Sequence, residues 1–100
     1  MSKSVTTIKP IHPGEILYEE FLEPLGLSAN KLAKHIEVPA NRVTAIINGQ
    51  RGITGDTALR LSSAFGTTPD FWLNLQSHYE LECAKDSTEI RFGVIDKHAA

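Results

Sequence analysis

The sequence predicts an all-α protein, with one compact domain of five short helices followed by a short C-terminal tail. Three observations support this prediction. The chain has 100 residues, of which 41% are hydrophobic and 22% are charged, and this is the size and composition of one small globular domain. Apolar residues recur at helical spacing in five stretches. Prolines, glycines and residues that cap helices separate these stretches from one another.

The first predicted helix follows an irregular N-terminal arm, residues 1–11. The helix begins near Glu15 and ends where Pro24, Leu25 and Gly26 interrupt the pattern. Apolar residues at helical spacing define its inner face. They are Ile16, Leu17, Phe21, Leu22 and Leu25.

Two helices joined by a tight corner come next. Ser28 is a good N-cap for the first of them, because its hydroxyl can accept hydrogen bonds from unpaired N–H groups of the first turn. The corner is Glu37-Val38-Pro39, and the following helix spans residues 40–48, with Gly49 as a natural residue to end it. The residues expected to face inward are Leu32, Ala33, Ile36, Val43, Ile46 and Ile47.

A loop over residues 50–53 leads to the fourth helix, which Thr54 can cap and Gly66 ends. Its apolar residues are Ala58, Leu59, Leu61, Ala64 and Phe65. Thr68-Pro69-Asp70 then combines a capping hydroxyl, a proline at the first helical position and an acid near the positive helix end, which predicts a fifth helix. That helix frays near Lys85. Its apolar residues are Phe71, Trp72, Leu75, Tyr79 and Leu81, and Trp72 is expected to be buried.

The domain therefore spans residues 12–85, and residues 86–100 form the C-terminal tail. Within this tail, residues 89–95 partly alternate between polar and apolar side chains, as a short strand does. A lone strand would have no partner inside an all-helical domain. The sequence leaves both a short strand and a mobile tail open.

Composition excludes several classes of protein. No apolar run approaches the ~18 residues of a membrane span, and residues 1–8 lack the apolar core of a signal peptide. The sequence therefore predicts a cytoplasmic protein with no membrane partner. Cys83, the single cysteine, cannot form an intramolecular disulfide or a zinc site by itself. The histidines and acids match no catalytic or metal-binding pattern, so the sequence predicts no enzyme activity, no metal and no cofactor.

Charge is unevenly distributed along the chain, although the net charge is only −2. Residues 28–52 hold four basic side chains and one acid, a local balance of +3. Acidic segments, residues 15–23 and 78–89, lie on either side. The local balance, and not the charge of the whole chain, favours contact with nucleic acid.

The basic segment also has the dimensions of a helix-turn-helix, in which the second helix enters the major groove of DNA. Successive residues of an α-helix are rotated by about 100°. If Val43 faces inward, Asn41, Ala45 and Asn48 therefore face outward, and Arg42 and Thr44 lie on the flanks. Amide, guanidinium and hydroxyl groups can pair with base edges or phosphates, and a small residue such as Ala45 allows close approach to the groove.

Residues 29–49 resemble the helix-turn-helix of lambda-repressor-like, XRE-type regulators. One departure is Glu37, where that family commonly has glycine, which implies a different local turn. Two further motifs resemble signatures of HigA-type antitoxins, and the whole resemblance covers residues 9–82. These motifs are His12-Pro13-Gly14-Glu15-Ile16-Leu17 and Phe71-Trp72-Leu73-Asn74-Leu75-Gln76.

The resemblance implies an antitoxin that neutralises a RelE-like (HigB-type) toxin, an mRNA endonuclease. It also implies a homodimer that represses its own operon at an inverted-repeat operator DNA. Base contacts fall on Asn41, Arg42, Thr44 and Asn48 of the second helix. Phosphate contacts fall on residues 28–31 at the start of the first helix and on Arg51 in the loop after the second. The implied DNA-binding residues are Ser28, Ala29, Asn30, Lys31, Ala40, Asn41, Arg42, Thr44, Asn48 and Arg51.

The toxin contact and the dimer face are less closely defined. Such toxins are basic, so acidic surfaces are the expected contact. Two surfaces qualify: Glu15, Glu19, Glu20 and Glu23, or Glu80, Glu82 and Asp86. Apolar surface of the fifth helix between Trp72 and Leu81 is the candidate dimer face. A stand-alone phage-type repressor without a toxin partner is the alternative function.

Overall fold

The structure, a computed structural model, describes residues 9–96 and contains five helices and no strand within them. The predicted all-α fold is confirmed. Helix α1 consists of three segments that follow one another without a break: α-helical Pro13–Ile16, π-helical Leu17–Leu22 and α-helical Glu23–Leu25. The others are α2 (Ala29–His35), α3 (Ala40–Ile47), α4 (Gly55–Phe65) and α5 (Pro69–Ser87).

The helices begin where short-range capping signals place them. The hydroxyl of Ser28 accepts a hydrogen bond from the N–H of Lys31 at 3.1 Å, which satisfies one of the free donors of α2. Thr54 and Thr68 cap α4 and α5 in the same way. Helix α1 begins two residues before the predicted start, because Pro13 supplies its first position.

The core is built around Trp72, which is fully buried as predicted. Its indole N–H donates to the hydroxyl of Thr67 at 2.8 Å, so the ring has no unsatisfied polar atom. The rings of Phe21 and Phe71 lie against it, with centroids 5.0 and 4.9 Å away. The contact with Phe21 joins α1 to α5, whereas Phe71 is the neighbour of Trp72 on α5 itself. The remaining core side chains are Leu17, Leu22, Leu32, Ala33, Ile36, Val43, Ile46, Ile53, Ala58 and Leu61.

Leu25 and Leu59, which belong to the apolar patterns of the first and fourth predicted helices, are exposed. Leu25 is 64% exposed, since it follows a π-helical segment, in which the residue periodicity differs from that of an α-helix. Leu59 is 62% exposed. Buried Ala58 and Leu61 define the inner face of α4, and at about 100° per residue Leu59 points away from it.

Residues 88–96 form neither helix nor strand. The short strand that the sequence left open therefore does not form within the described residues. Ile90, Phe92 and Val94 are exposed along this segment. Most of the predicted N-terminal arm (residues 1–8 of 1–11) and the end of the predicted tail (residues 97–100 of 86–100) lie outside the described residues. No helix in the described part of the chain is long and apolar enough to cross a membrane.

Candidate nucleic-acid interface

The corner between α2 and α3 is closed by backbone hydrogen bonds. The N–H of Val38 donates to the carbonyl of Ala33 at 2.9 Å, and the N–H of Glu37 donates to that of Lys34 at 3.3 Å. This pair of bonds is a Schellman motif, which requires a left-handed residue after the helix. Glu37 takes that conformation, with φ of +61°. The prediction of a different local turn at Glu37 is therefore wrong, because this glutamate takes the left-handed conformation that glycine favours.

A network of charged side chains fixes this corner from the side of α4. Arg60 donates from Nη1 to the carbonyl oxygen of Ile36 at 2.7 Å, and from Nε to Asp56 Oδ2 at 3.0 Å. The same carboxylate oxygen accepts from Arg42 Nη1 at 2.7 Å. Hydrogen bonds from Arg60 and Arg42 lower the pKa of Asp56, so its carboxylate stays charged at neutral pH. The network connects α4 to both helices of the motif.

Helix α3 presents a polar outer face. Val43 and Ile46 are buried beneath it, whereas Asn41 and Asn48 are exposed, as predicted. Thr44 is half-buried, and its hydroxyl donates to backbone carbonyls of its own helix, which leaves the oxygen free to accept. The exposed amides can each donate and accept, as the recognition of base edges requires.

The other predicted contact residues lie around this face. Lys31 and Arg51 are exposed on α2 and in the loop after α3. Arg42 differs from them, because its side chain is only 24% exposed and already paired with Asp56. The DNA contacts of all ten residues stay a prediction. Of the remaining five, Ser28, Asn30 and Ala40 are exposed, and Ala29 and Thr44 are half-buried.

His12 attaches the first turn of α1 to the loop that follows α3. Its Nδ1 accepts from the N–H of Gly14 at 2.9 Å, and the Glu15 carboxylate accepts from the N–H of His12 at 3.4 Å, which forms a capping box. The imidazole also hydrogen-bonds the backbone of Arg51 and packs edge-on against Tyr79. Burial lowers the pKa of His12, so the ring is neutral at physiological pH.

Gln76 holds the same loop from the side of α5. Its Oε1 accepts from the N–H of Ile53 at 2.8 Å, and its Nε2 donates to Glu80 at 2.9 Å. A Cβ on Gly52 would lie 2.7 Å from the amide nitrogen of Gln76, so glycine permits this close approach. The motifs of residues 12–17 and 71–76 therefore meet at the loop after α3.

Helix α1 also packs directly on α3. A Cβ built on Gly14 would lie 1.8 Å from the carbonyl oxygen of Ile46, a contact that only glycine allows. The sequence did not reveal the polar contacts of His12, Gln76 and Asp56. Only the i,i+4 spacing of Asp56 and Arg60 was a readable signal of an ion pair.

The candidate dimer face on α5 is smaller than the sequence suggested. Trp72 is fully buried and cannot contribute to it. Leu81, near the other end of the helix, is exposed, and Tyr79 is half-buried. Exposed apolar residues on α5 thus lie near both ends, with Phe71 in the first turn and Leu81 in the C-terminal half.

Comparison with known proteins gives a consistent set of matches. A helix-turn-helix family model matches residues 19–72. An HTH-type transcriptional regulator of Escherichia coli, YbaQ, is 51% identical over 75 residues, which cover 75% of this chain and 66% of that protein. Antitoxin HigA-1 of Vibrio cholerae is 42% identical over 76 residues, which cover 76% of this chain and 71% of that protein.

Two solved structures extend the likeness to three dimensions. An addiction module antidote protein of the HigA family from Coxiella burnetii superposes with a TM-score of 0.76 and 60% identity, covering 80% of this chain and 87% of that one. Pseudomonas aeruginosa antitoxin HigA, solved with the higBA promoter, superposes with a TM-score of 0.78 and 47% identity. That match covers 79% of this chain and 86% of that one.

Proposed function

We propose that this chain, which belongs to the XRE-type helix-turn-helix family and has HigA-family antitoxins as structural neighbours, binds operator DNA through α3, represses its own operon and neutralises a RelE-like toxin by direct contact. The observation that most supports the DNA-binding part is the exposed polar face of α3, with Asn41 and Asn48 free of the core. The likeness to an antitoxin solved with promoter DNA adds support.

The proposed contacts divide into two kinds. Asn41 and Asn48 contact base edges, because their exposed amides carry both donors and acceptors. Lys31 and Arg51 contact phosphates, which position the protein without reading sequence. The other proposed members of the interface lie next to these four. They are Ser28, Ala29, Asn30, Ala40, Arg42 and Thr44.

A homodimer is part of the proposal. One recognition helix reads only a few base pairs, too few to identify an operator. Two copies related by a twofold axis would read an inverted repeat with half-sites about 34–36 Å apart. The exposed apolar residues Leu81, Ile90 and Phe92, at the end of α5 and beyond it, are the surface we assign to pairing.

Affinity measurements at several salt concentrations test the DNA contacts. Asn41→Ala and Asn48→Ala should each weaken operator binding by ~1–3 kcal/mol and reduce preference at a particular base pair. Lys31→Ala and Arg51→Ala should instead weaken binding to all sequences and reduce the salt slope by about one unit each. Asn74→Ala, an exposed amide on α5, is the matched control. Unchanged base preference in both α3 variants would refute the assignment of α3 as the recognition helix.

For the toxin contact, we propose the acidic surface of α1. Glu19, Glu20 and Glu23 are exposed, and no ion pair or hydrogen bond engages their carboxylates within residues 9–96. On the second acidic surface, Glu80 and Glu82 accept hydrogen bonds from neighbours on their own helix. All three carboxylates of α1 are therefore available to a basic partner, whereas on the second surface only Asp86 has no such bond within residues 9–96.

Co-expression with the product of the adjacent gene tests this proposal. Reversal of Glu19, Glu20 and Glu23 to lysine should abolish co-purification and rescue from toxicity, while circular dichroism stays helical. The matched control is reversal of Glu80, Glu82 and Asp86, which should leave the complex intact. If the adjacent product neither binds nor is toxic, the chain is a stand-alone repressor. The regulator name of the Escherichia coli relative favours that second candidate.

A further inference from the structure

The first turn of α4 brings an exposed negative charge to the side of the recognition helix. Asp56 is 54% exposed in its side chain, and its Oδ2 accepts hydrogen bonds from both Arg42 and Arg60. A carboxylate near bound DNA repels phosphates and so opposes binding. Ion pairs this exposed contribute little to folding stability. A contribution to folding stability therefore does not by itself explain why Asp56 pairs with Arg42 and Arg60.

Arg42 is the residue on which Asp56 acts. It is the third residue of α3, and the N-terminal residues of a recognition helix are those that contact base edges. An unrestrained arginine there could reach phosphates as well as bases. The contact with Asp56 engages Nη1, and the Nε of Arg42 is buried without a hydrogen-bond partner in the described chain. The guanidinium is thus held in one orientation, with some of its five donors still free.

Asp56 is itself fixed relative to the helix-turn-helix. Arg60 donates to Asp56 Oδ2 and to the carbonyl oxygen of Ile36 at the corner. The chain of contacts runs from the corner through Arg60 and Asp56 to Arg42. Because both ends belong to the DNA-binding motif, the carboxylate holds Arg42 at a defined place on it.

We propose that Asp56 is a positioning residue for base specificity, which keeps the Arg42 guanidinium from the phosphates and presents it to one base pair in each half-site. The inference rests on the proposed function, since it assumes operator binding through α3. In this proposal Asp56 makes no contact with DNA. It affects base specificity only through the position of Arg42.

The test is Asp56→Asn in the full chain, which keeps the shape of the side chain and removes its charge. The probe is a duplex that the wild-type chain selects from random-sequence DNA, together with every single-base-pair variant of that duplex. A two-point arginine contact discriminates roughly 5- to 150-fold against the wrong base pair. Asp56→Asn should abolish this discrimination at one pair per half-site. It should also tighten binding to unrelated DNA and steepen the salt slope by about one unit per protomer, because the released Arg42 reaches a phosphate.

Two further variants separate positioning from charge. Asp70→Asn removes the same charge from the second residue of α5, the position that Asp56 holds in α4, and no arginine pairs with Asp70 in the described chain. It should leave the base profile unchanged. Arg42→Ala should lose discrimination at the same base pair without the gain in salt slope. Addition of Asp56→Asn to Arg42→Ala should then change nothing further in the base profile.

Two results would overturn the inference. One is a base profile in Asp56→Asn that equals the wild-type profile, with only thermal stability altered, which would make the network merely structural. The other is an effect of Asp56→Asn that persists in full when Arg42 is alanine. Failure of the wild-type chain to select any duplex would refute the proposed function and the inference together. Normal wild-type binding with either of the first two results would refute the inference alone.

Discussion

Substitution of Gly14 by alanine should destabilise the protein, although alanine is the better helix former. Gly14 lies in the first turn of α1, where alanine would by itself add about 0.5–1 kcal/mol of stability. The new Cβ would, however, lie 1.8 Å from the carbonyl oxygen of Ile46 and 3.0 Å from the Cα of Ile47. Both neighbours are backbone, so no side-chain rotation can relieve the contact.

The size of the effect follows from these distances. A carbon–oxygen contact is normally about 3.3–3.6 Å, so α1 and α3 must separate by roughly 1.5 Å at this point. Overpacking of this kind typically costs about 1–3 kcal/mol. Against the gain in helix propensity, we expect a net loss of about 1 kcal/mol. For a domain of this size, that loss lowers Tm by roughly 4–8 °C.

Urea unfolding followed by circular dichroism, with thermal scans, measures this loss. Gly55→Ala is the matched control, because Gly55 opens α4 and a Cβ there would meet nothing within 4 Å. It should leave stability unchanged or raise it by up to about 1 kcal/mol. Equal stability of Gly14→Ala and the wild type would refute the close packing of α1 on α3.

Three other substitutions test separate features of the fold. Since burial lowers the pKa of His12, the unfolded chain binds the proton more readily, and stability should fall as pH drops below about 6.5. His12→Asn should lose this dependence in thermal unfolding between pH 5 and 7, whereas His78→Asn should keep it. Gln76→Leu leaves the Ile53 N–H without its acceptor and should cost about 1–3 kcal/mol in urea unfolding; an unchanged midpoint would contradict that role. Glu37→Gly should add about 0.5–1 kcal/mol by relieving the left-handed conformation, and a similar gain in Glu37→Ala would argue against backbone strain.

Local sequence signals were sufficient to place the helices. Ser28, Thr54 and Thr68 each cap a helix through a residue three positions away, so a short window of sequence contains both partners. The π-helical segment Leu17–Leu22 had no comparable signal. Its apolar residues fit an α-helical pattern nearly as well, and the difference becomes visible only in the exposure of Leu25.

The position of the candidate interface was predictable from the sequence. The side-chain contacts that hold its helices and loop in place were not. The recognition helix was predicted over residues 40–48 and forms over Ala40–Ile47, with Asn41 and Asn48 exposed. The side chains that hold it reach across the chain: Asp56 is 14 residues from Arg42, and Gln76 is 23 residues from Ile53. Such pairs depend on how helices pack, which one sequence without structure does not reveal.

The loop after α3 is held in place by a residue that is synthesised later than the helix-turn-helix itself. Synthesis proceeds from the N-terminus at about 5–20 residues per second. Both helices of the DNA-binding motif therefore leave the ribosome before Gln76, whose amide fixes the loop at Ile53. A nascent chain halted within α4 would contain every proposed base-contacting residue and still lack this attachment. We therefore expect competence to bind an operator to arise only when α5 has been translated and folded against the rest.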